Sequence, residues 1–319
     1  MQNLPTKITE QKLTLGTIVQ IDICMPSKYM ERAKNVLVDV WRRIDEINIR
    51  MNVYDQRSDI VLINGSYPNF VKIHRDTYSL LKDAQKYSAM TNGAFDITIR
   101  PLVLLWQEAA KRGAIPSQAE IQQEKEKIGF HNIDFSDSNE VRVLHPGTKL
   151  DLSAIAKGYA VDQAAQILRD EGIDNFLINA GGDIFVSGKN CHSKKWLVGV
   201  QDPSRRKTVI DTIDLTDMAV TTSGDYEQYY TIEQQRYSHI IDPRTGYPVR
   251  SIKSATVVTK SAEQADAFST ALCVLGPKQG ISWADGLDED IFVLLIEKDA
   301  EGQIIQHMSE KYKDLHKIK

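Results

Sequence analysis

The sequence contains only three cysteines in its 319 residues, Cys24, Cys191 and Cys273. Their wide spacing matches neither a zinc finger nor a redox pair, and an odd number argues against a disulfide framework. Cys24 and Cys273 lie in apolar runs, which is typical of buried core thiols. We therefore expect the fold to depend on its hydrophobic core rather than on disulfides.

Long apolar runs and clustered positive charge are also absent. No stretch of eighteen apolar residues occurs, so no transmembrane segment is predicted, and the segment Met1 to Leu15 lacks the apolar part of a signal peptide. As the sequence stands we expect a cytoplasmic protein, and a membrane-associated lipoprotein only if a leader preceded it. The formal net charge is −4 and no basic stripe is present, so nucleic acid is not an expected partner. Binding of a polyanion would need a local device, such as a metal ion or exposed backbone amides.

Strand and helix signals interleave along the chain without strict βαβ alternation. Alternating apolar residues predict a strand over 14–25, and helical spacing predicts a helix over 154–170. Several later short strands are separated by polar turns, as in hairpins. The pattern favours an α+β (mixed α/β) fold, with a mostly antiparallel sheet flanked by helices, over a doubly wound sheet. We assign one large domain to residues 13–308, between tails at residues 1–12 and 309–319.

Two glycine-containing turns are candidate binding loops. The segment Gly93 to Asp96 places a carboxylate after an aromatic ring, and glycine lets a backbone approach a ligand closely. A glycine that ends a helix before a turn would explain the same segment. The paired glycines between Asn179 and Asp183 allow contact with a ligand, but a tight hairpin needs them equally. Neither segment indicates a ligand by itself.

The segment from Asp151 to Ala160 lies at a strand-to-helix junction. Small residues at the start of a helix leave backbone amides exposed, and these amides together with Lys157 suit a phosphate group. The spacing is neither that of a Walker loop nor that of the three-glycine dinucleotide motif. Asp151 could instead be a helix N-cap, with Ala154 and Gly158 small because a neighbouring element packs closely.

Two further segments carry ionisable side chains. His239 lies in a polar block around a Pro-Arg-Thr-Gly turn, and a histidine can give or take a proton near neutral pH. The alternative is a structural histidine, with Asp242 and Arg244 paired across the turn. Asp266 and Thr270 are four residues apart on a predicted helix, so their oxygens share one face and suit Mg²⁺. A buried aspartate capped by the hydroxyl is equally consistent with that spacing.

The order of these segments resembles one family closely. From Leu15-Gly16-Thr17 to at least Gly276, the chain is similar to the ApbE family of FAD:protein FMN transferases. The matching segments are Met51–Tyr54, Gly93–Asp96, Asp151–Ala160, Ala180–Asp183, Thr221–Tyr226, His239–Gly246 and the helix that contains Asp266.

The resemblance implies an activity and a set of site residues. FMN would move from FAD to a threonine or serine hydroxyl of an acceptor flavoprotein domain or subunit, with Mg²⁺ or Mn²⁺ at the pyrophosphate and AMP as the leaving group. The implied FAD contacts are Leu15, Tyr54, Ala94, Phe95, Asp96, Asp151, Lys157 and His239. The implied metal ligands are the carbonyl of Ala154 and the side chains of Asp266 and Thr270. His239 is also implied as the acid or base near the acceptor hydroxyl.

The chain departs from the family pattern at one implied flavin contact, and two other activities would use the same residues. Family members often have methionine where this chain has Leu15, and many carry a lipoprotein leader. Hydrolysis of FAD to FMN and AMP would need the same site with water as the acceptor. A non-catalytic FAD-binding protein would need the same cavity without turnover.

Overall fold

The structure, a computed structural model, describes residues 5–205, 208–224, 229–250, 252–299 and 301–317. The α-helices in these ranges are α1 (Met30–Met51), α2 (Asp59–Asn64), α3 (Arg75–Met90), α4 (Arg100–Arg112), α5 (Gln118–Lys125), α6 (Ala156–Asp170), α7 (Ala262–Asp285) and α8 (Glu310–Lys317). The strands are β1 (Pro5–Thr14), β2 (Thr17–Pro26), β3 (Val71–Lys72), β4 (Ile133–Phe135), β5 (Glu140–Val143), β6 (Phe176–Ala180), β7 (Asp183–Ser187), β8 (Trp196–Gln201), β9 (Val209–Leu215), β10 (Met218–Gly224), β11 (Tyr229–Ile232), β12 (Gln235–Ser238), β13 (Ile252–Thr259), β14 (Phe292–Lys298) and β15 (Ile304–Met308). No helix in these ranges is long and apolar enough to span a bilayer.

Eight strands form the central sheet, in the order β1-β2-β6-β7-β10-β13-β14-β15. Every neighbouring pair in this sheet is antiparallel. Three smaller antiparallel sheets, β3-β5-β4, β8-β9 and β11-β12, lie around it. The predicted α+β class with a mostly antiparallel sheet is therefore confirmed.

Both faces of the central sheet are covered. On one face, Val19, Ile21 and Ile23 of β2 pack against α1 and α6. On the other face, Val220 and Val258 pack against the β8–β9 hairpin. Because successive residues of a strand point to opposite faces, a strand covered on both sides must bury both sets of side chains. This requirement explains the nearly continuous burial of β13 and β14.

Regular structure extends beyond the predicted domain at both ends. Strand β1 begins at Pro5 and pairs with β2 as far as Thr14. Helix α8 follows β15, and its Tyr312 is fully buried in the core that the β8–β9 hairpin covers. The segments assigned as tails therefore contain a strand of the central sheet and a packed helix.

The prediction of a fold without disulfides was wrong. Cys24 on β2 and Cys191, in the loop before β8, form a disulfide with a Cα–Cα distance of 5.1 Å. Cys273 is buried and is not part of a disulfide. The bonded cysteines are 167 residues apart in the sequence. Spacing alone therefore gives no sign of the pair, which forms because the β8–β9 hairpin folds over the face of β2 that carries Cys24.

Helices α6 and α7 are in close contact at Gly158. A Cβ atom at this position would lie 2.2 Å from the carbonyl oxygen of Ala262 and 2.8 Å from Cα of Glu263. Both are backbone atoms, so a change of side-chain rotamer cannot relieve the contact. Asp162, about one turn along α6, accepts hydrogen bonds from the amides of Ala262 and Glu263 at 2.8 and 3.0 Å. These bonds satisfy amides at the start of α7 and hold that end against α6.

Replacement of Gly158 by alanine is expected to separate the two helices. We expect Gly158→Ala to lower the free energy of unfolding by about 1–3 kcal/mol or more, because the added methyl group meets fixed backbone. Urea unfolding followed by circular dichroism measures the change. Gly65→Ala is the matched control, since a Cβ there would lie 3.6 Å from its nearest neighbour. Equal stability of the two variants would contradict the close contact.

Candidate active site

A cavity of about 660 Å³, the central cavity, opens between the central sheet and helices α1, α4, α6 and α7. A volume in this range suits a ligand of cofactor size. The residues implied by the sequence resemblance all line it, namely Leu15, Tyr54, Ala94, Phe95, Asp96, Asp151, Ala154, Lys157, His239, Asp266 and Thr270. The fold thus brings together residues from six separate parts of the chain, while the role of each stays a prediction.

Lys157 contacts two buried carboxylates in the central cavity. Its Nζ bonds to Oδ2 of Asp183 and lies 3.5 Å from Oδ1 of Asp266. Both aspartates are only 2% exposed. Since two carboxylates and one ammonium group carry a formal charge of −1, this cluster attracts a further cation.

Burial and charge act in opposite directions on this cluster. Burial acts to lower the pKa of Lys157, but the attraction of Asp183 and Asp266 outweighs it and raises the pKa. Burial raises the pKa of Asp266, and repulsion by Asp183 adds to this against the lowering effect of Lys157. A bound cation would favour the ionised form of Asp266.

Three oxygen donors in the cavity suit a magnesium ion. The amide of Gly158 donates to Oδ2 of Asp266 at 3.2 Å. In a regular helix this amide would bond to the carbonyl four residues earlier, that of Ala154, so that carbonyl is left for another partner. Thr270 lies one turn from Asp266 on α7, and its hydroxyl oxygen is 3.3 Å from Oγ of Ser223. Carboxylate, carbonyl and hydroxyl oxygens are the hard ligands that Mg²⁺ prefers.

This set of oxygen ligands differs from that of a metal site built from ionisable side chains alone. Within the described ranges, no group of three or more His, Cys, Asp or Glu side chains is placed to hold a metal ion. The carbonyl of Ala154 and the hydroxyl of Thr270 would have to complete the set around Asp266. Such a sparse protein ligand set suits Mg²⁺, which keeps several waters or substrate oxygens.

The amides at the start of α6 are mostly engaged within the chain. Those of Ala156 and Tyr159 donate to the carbonyls of Leu152 and Ile155 at 2.8 and 3.0 Å. The amide of Gly158 donates to Asp266, as described above. The segment therefore does not present the expected row of exposed amides to a phosphate. Its main contribution to the cavity is the charged cluster around Lys157.

The Gly93–Asp96 segment both ends a helix and lines the cavity. Gly93 has φ +72°, and its amide donates to a carbonyl of the last turn of α3 at 2.8 Å. Asp96 accepts hydrogen bonds from the hydroxyl and amide of Thr98 at 2.6 and 2.8 Å and from the amide of Phe130 at 2.9 Å. Burial raises the pKa of Asp96, while these hydrogen bonds act to lower it. The carboxylate thus orders the loop that forms this wall.

Asp151 is held by an arginine outside the predicted set. Arg100 Nη1 donates to Oδ2 of Asp151 at 2.8 Å, and its guanidinium carbon lies 5.0 Å from the ring centroid of Tyr54. The amide of Ser153 donates to Oδ1 of Asp151 at 3.0 Å. Helix α6 begins only at Ala156, so Asp151 is not its N-cap. Arg100 therefore joins two residues that the resemblance places against FAD.

His239 follows β12 and lines the cavity from one side of a structured turn. Oγ of Ser238 accepts a hydrogen bond from the amide of Ile240 at 3.1 Å, which fixes the backbone around the histidine. Farther along, Nε and Nη2 of Arg244 donate to the carboxylate of Asp242 at 2.9 and 3.0 Å. The alternative explanation, in which Asp242 and Arg244 pair across the turn, is therefore correct. His239 itself lines the cavity.

Two hairpin turns meet at the cavity. Leu15 and Gly16, between β1 and β2, have φ +54° and +72°, and Gly181 and Gly182, between β6 and β7, have φ +64° and +102°. Positive φ at both central residues is typical of the tight turns of hairpins. A Cβ on Gly181 would lie 2.4 Å from the side chain of Thr17. Glycine at position 181 therefore allows both the positive φ of the hairpin turn and the close approach of the two turns.

Several residues of the cavity wall were not predicted from the sequence. They are Arg100, Gln107, Asp183, Ser223 and Tyr230. A signal existed only for Asp183 and Ser223, which belong to the segments Ala180–Asp183 and Thr221–Tyr226 of the family resemblance. Asp225 and Tyr226, at the end of the second segment, lie outside the described residues.

Beside the cavity, Glu263 is buried near three helices. It is 9% exposed, and its Oε1 has no hydrogen-bond partner among the described residues. Burial, together with the nearby carboxylates of Asp83 and Asp162, raises the pKa of Glu263 to about 8. The folded state therefore binds this proton more tightly than the unfolded chain, whose glutamate pKa is about 4.3. The resulting stabilisation is complete below that unfolded value and is lost as the pH rises to about 8.

Glu263→Gln is expected to reduce this loss of stability at higher pH. Between pH 5 and pH 8, the free energy of unfolding of the wild type should fall relative to that of the variant by at most about 1.4 kcal/mol per pH unit. Urea unfolding at pH 5, 7 and 8 measures the two slopes. Glu108→Gln is the control, because its side chain is 63% exposed. The same slope in the wild type and in Glu263→Gln would show that Glu263 does not titrate as described.

Comparison with known proteins places this geometry in a family. The profile of the ApbE family matches residues 15–295. The chain is 32% identical over 301 residues to an FAD:protein FMN transferase of Vibrio cholerae, covering 91% of this chain and 87% of that protein. It is 30% identical over 303 residues to an FAD:protein FMN transferase of Salmonella typhimurium, covering 91% and 84% of the two chains.

Solved structures agree with the sequence matches. The ApbE protein of Thermotoga maritima superposes with a TM-score of 0.86 at 34% identity, over 97% of this chain and 99% of that chain. The flavin transferase ApbE of Vibrio cholerae superposes with a TM-score of 0.84 at 28% identity, over the same shares of the two chains.

Proposed function

The chain belongs to the ApbE family, and we propose that it is an FAD:protein FMN transferase that moves FMN to a threonine or serine hydroxyl of an acceptor protein. The observation that carries this proposal is the convergence of all the family-implied residues on one cavity of cofactor size. The curated relatives with this activity match nearly the whole chain, which supports the same reaction here.

The proposed step exchanges the phosphoanhydride bond of FAD for a phosphoester bond to the acceptor. The acceptor oxygen forms a bond to the phosphorus of the FMN half, and the bond from that phosphorus to the bridging oxygen breaks. AMP leaves with the bridging oxygen, and the hydroxyl proton must be taken up as the new bond forms. Such a step depends mainly on positioning and on neutralising the charge of the pyrophosphate.

The side chains of the cavity suit these requirements. His239 is the proposed proton acceptor for the hydroxyl, because it lies in the cavity wall and an imidazole side chain can take up a proton near neutral pH. Arg100 holds Asp151 and contacts Tyr54, so it positions two proposed FAD contacts. Lys157 keeps Asp183 and Asp266 together despite their repulsion.

A divalent cation, Mg²⁺ or in its place Mn²⁺, is part of the proposal. Asp266, Thr270 and the carbonyl of Ala154 would hold it, and when bound it would neutralise charge on the pyrophosphate and on the departing AMP. The charge of the cavity supports the proposal of a bound cation. Lys157 is the only lysine among the described residues that line the cavity, and it is already paired with two carboxylates.

Hydrolysis of FAD is the main alternative activity, because water can replace the acceptor hydroxyl in the same site. Purified protein incubated with FAD, Mg²⁺ and an acceptor protein, with and without EDTA, separates the two. Flavin fluorescence that stays with the acceptor after denaturation indicates transfer, whereas free FMN and AMP alone indicate hydrolysis. Tight FAD binding with no turnover in any divalent metal would indicate a binding protein.

The compartment of the protein is a further part of the proposal. The disulfide between Cys24 and Cys191 joins two distant parts of the fold. Stable structural disulfides are typical of oxidising compartments and rare in the cytoplasm. We therefore propose that the protein works in an oxidising compartment, in place of the cytoplasm expected from the sequence.

Asp266→Asn is expected to abolish metal-dependent transfer while preserving the fold. The asparagine oxygen can still accept the hydrogen bond from the Gly158 amide, but it is a much weaker metal ligand than a carboxylate. Transfer should fall about 100-fold or more, measured across a range of Mg²⁺ concentrations. Asp134→Asn is the control, because Asp134 pairs with Arg142 away from the cavity. Wild-type activity of Asp266→Asn at ordinary Mg²⁺ concentrations would remove Asp266 from the metal site.

His239→Asn is expected to slow transfer without loss of FAD binding. Asparagine keeps a polar side chain of similar size but cannot take up the proton of the acceptor hydroxyl, so the single-turnover rate should fall about 100-fold. FAD affinity, followed by quenching of flavin fluorescence, should stay near the wild-type value. The exposed His192, changed to asparagine, serves as the control. An unchanged single-turnover rate would exclude His239 as the proton acceptor.

A further inference from the structure

A second cavity, of about 490 Å³, lies beside the β11–β12 hairpin. Four cationic side chains and two tyrosines line it, which are Arg236, Arg250, Lys253, Lys298, Tyr229 and Tyr237. No aspartate or glutamate is among its described lining residues. We call this cavity the basic pocket, and its charge contrasts with the formal net charge of −4 of the whole chain.

Three of these cations are available to an anionic partner. Within the described ranges, Arg236, Arg250 and Lys298 form no ion pair with a carboxylate. The guanidinium carbon of Arg236 instead lies 3.6 Å from the ring centroid of Tyr229. That of Arg250 lies 5.7 Å from the ring centroid of Tyr237. An arginine stacked on a ring is oriented by that contact and still presents its N–H donors to a carboxylate.

The basic pocket shares its walls with the central cavity. Tyr229 lines the pocket and Tyr230 lines the central cavity, since neighbouring residues of a strand point to opposite sides. Ser238 lines the pocket and the next residue, His239, lines the central cavity. The positive pocket is therefore next to the side chain proposed to act on the acceptor hydroxyl.

We propose that the basic pocket binds an acidic segment of the acceptor protein, close to the hydroxyl that receives FMN. This inference rests on the proposed transferase function. A protein that presents a hydroxyl to His239 must also cover the surface around it, because a specific interface buries about 800 Å² on each partner. The pocket lies within that surface, and its cations attract carboxylates that the acidic remainder of the chain would repel.

A peptide-binding experiment with the full chain tests the proposal. The probes are two fluorescein-labelled peptides with a single threonine, one flanked by aspartate and glutamate and the other by asparagine and glutamine. Fluorescence anisotropy measures their affinities for the wild type and for the variant Arg236→Gln/Arg250→Gln/Lys298→Gln. We expect the wild type to bind the acidic peptide about tenfold more tightly than the neutral one, and the triple variant to lose this preference.

The control variant is Lys28→Gln/Lys34→Gln/Lys111→Gln, which changes the net charge by the same amount. None of these three lysines lines either cavity. The control should keep the preference for the acidic peptide. The proposal is overturned if the wild type shows no preference, if the triple variant keeps it, or if the control loses it equally.

The same samples separate this inference from the proposed function. FAD binding by the triple variant should match the wild type, because none of its three positions lines the central cavity. Covalent FMN on the acceptor protein of the transfer assay, detected by mass spectrometry, reports the transferase function. Absence of covalent FMN would count against the transferase function. The affinities of the two peptides decide the role of the basic pocket independently.

Discussion

The contact between α6 and α7 at Gly158 is the constraint on which the candidate site depends. A side chain at this position would meet the backbone of α7, so the two helices can approach only because the residue is glycine. At this distance the Gly158 amide reaches Asp266, and the carbonyl of Ala154 loses its usual helical partner. One contact between backbones thus brings the Asp266 carboxylate to the Gly158 amide and leaves the Ala154 carbonyl without that amide, and both residues line the central cavity.

Charge balance within this contact suits the proposed binding of a pyrophosphate by an acidic protein. Lys157 is adjacent to Gly158, and its ammonium group is paired with Asp183 and Asp266. It therefore cannot neutralise a pyrophosphate as a free lysine would. Its effect is to keep two buried carboxylates close together, at a point where their remaining negative charge would attract the proposed metal ion. The basic pocket offers positive charge as well, but on the other side of the β11–β12 hairpin, where a protein partner can reach it.

Local patterns in the sequence predicted much of the fold, and the misses have physical causes. The helix over 154–170 and the strand over 14–25 were recognised because burial on one face gives a strong period. Strand β1 was missed because it is an edge strand with mostly exposed side chains. Helix α8 was missed because it is only eight residues long, and its buried Tyr312, with Leu315 packed against the same cluster, shows that it belongs to the core. The disulfide was missed because its partners are distant in the sequence and become neighbours only when the β8–β9 hairpin covers the sheet.

For the candidate site, the sequence by itself determined the types of residue and their order, and the order carried the family resemblance. Each segment alone allowed a structural explanation, and several of these explanations are correct as well. Gly93 ends a helix, Gly181 forms a hairpin turn, and Asp242 pairs with Arg244. Only the tertiary structure decided that the segments face one cavity, that Arg100 holds Asp151, and that positive charge collects beside His239. These relations depend on distances between residues far apart in the chain, and local patterns of polarity contain no information about such distances.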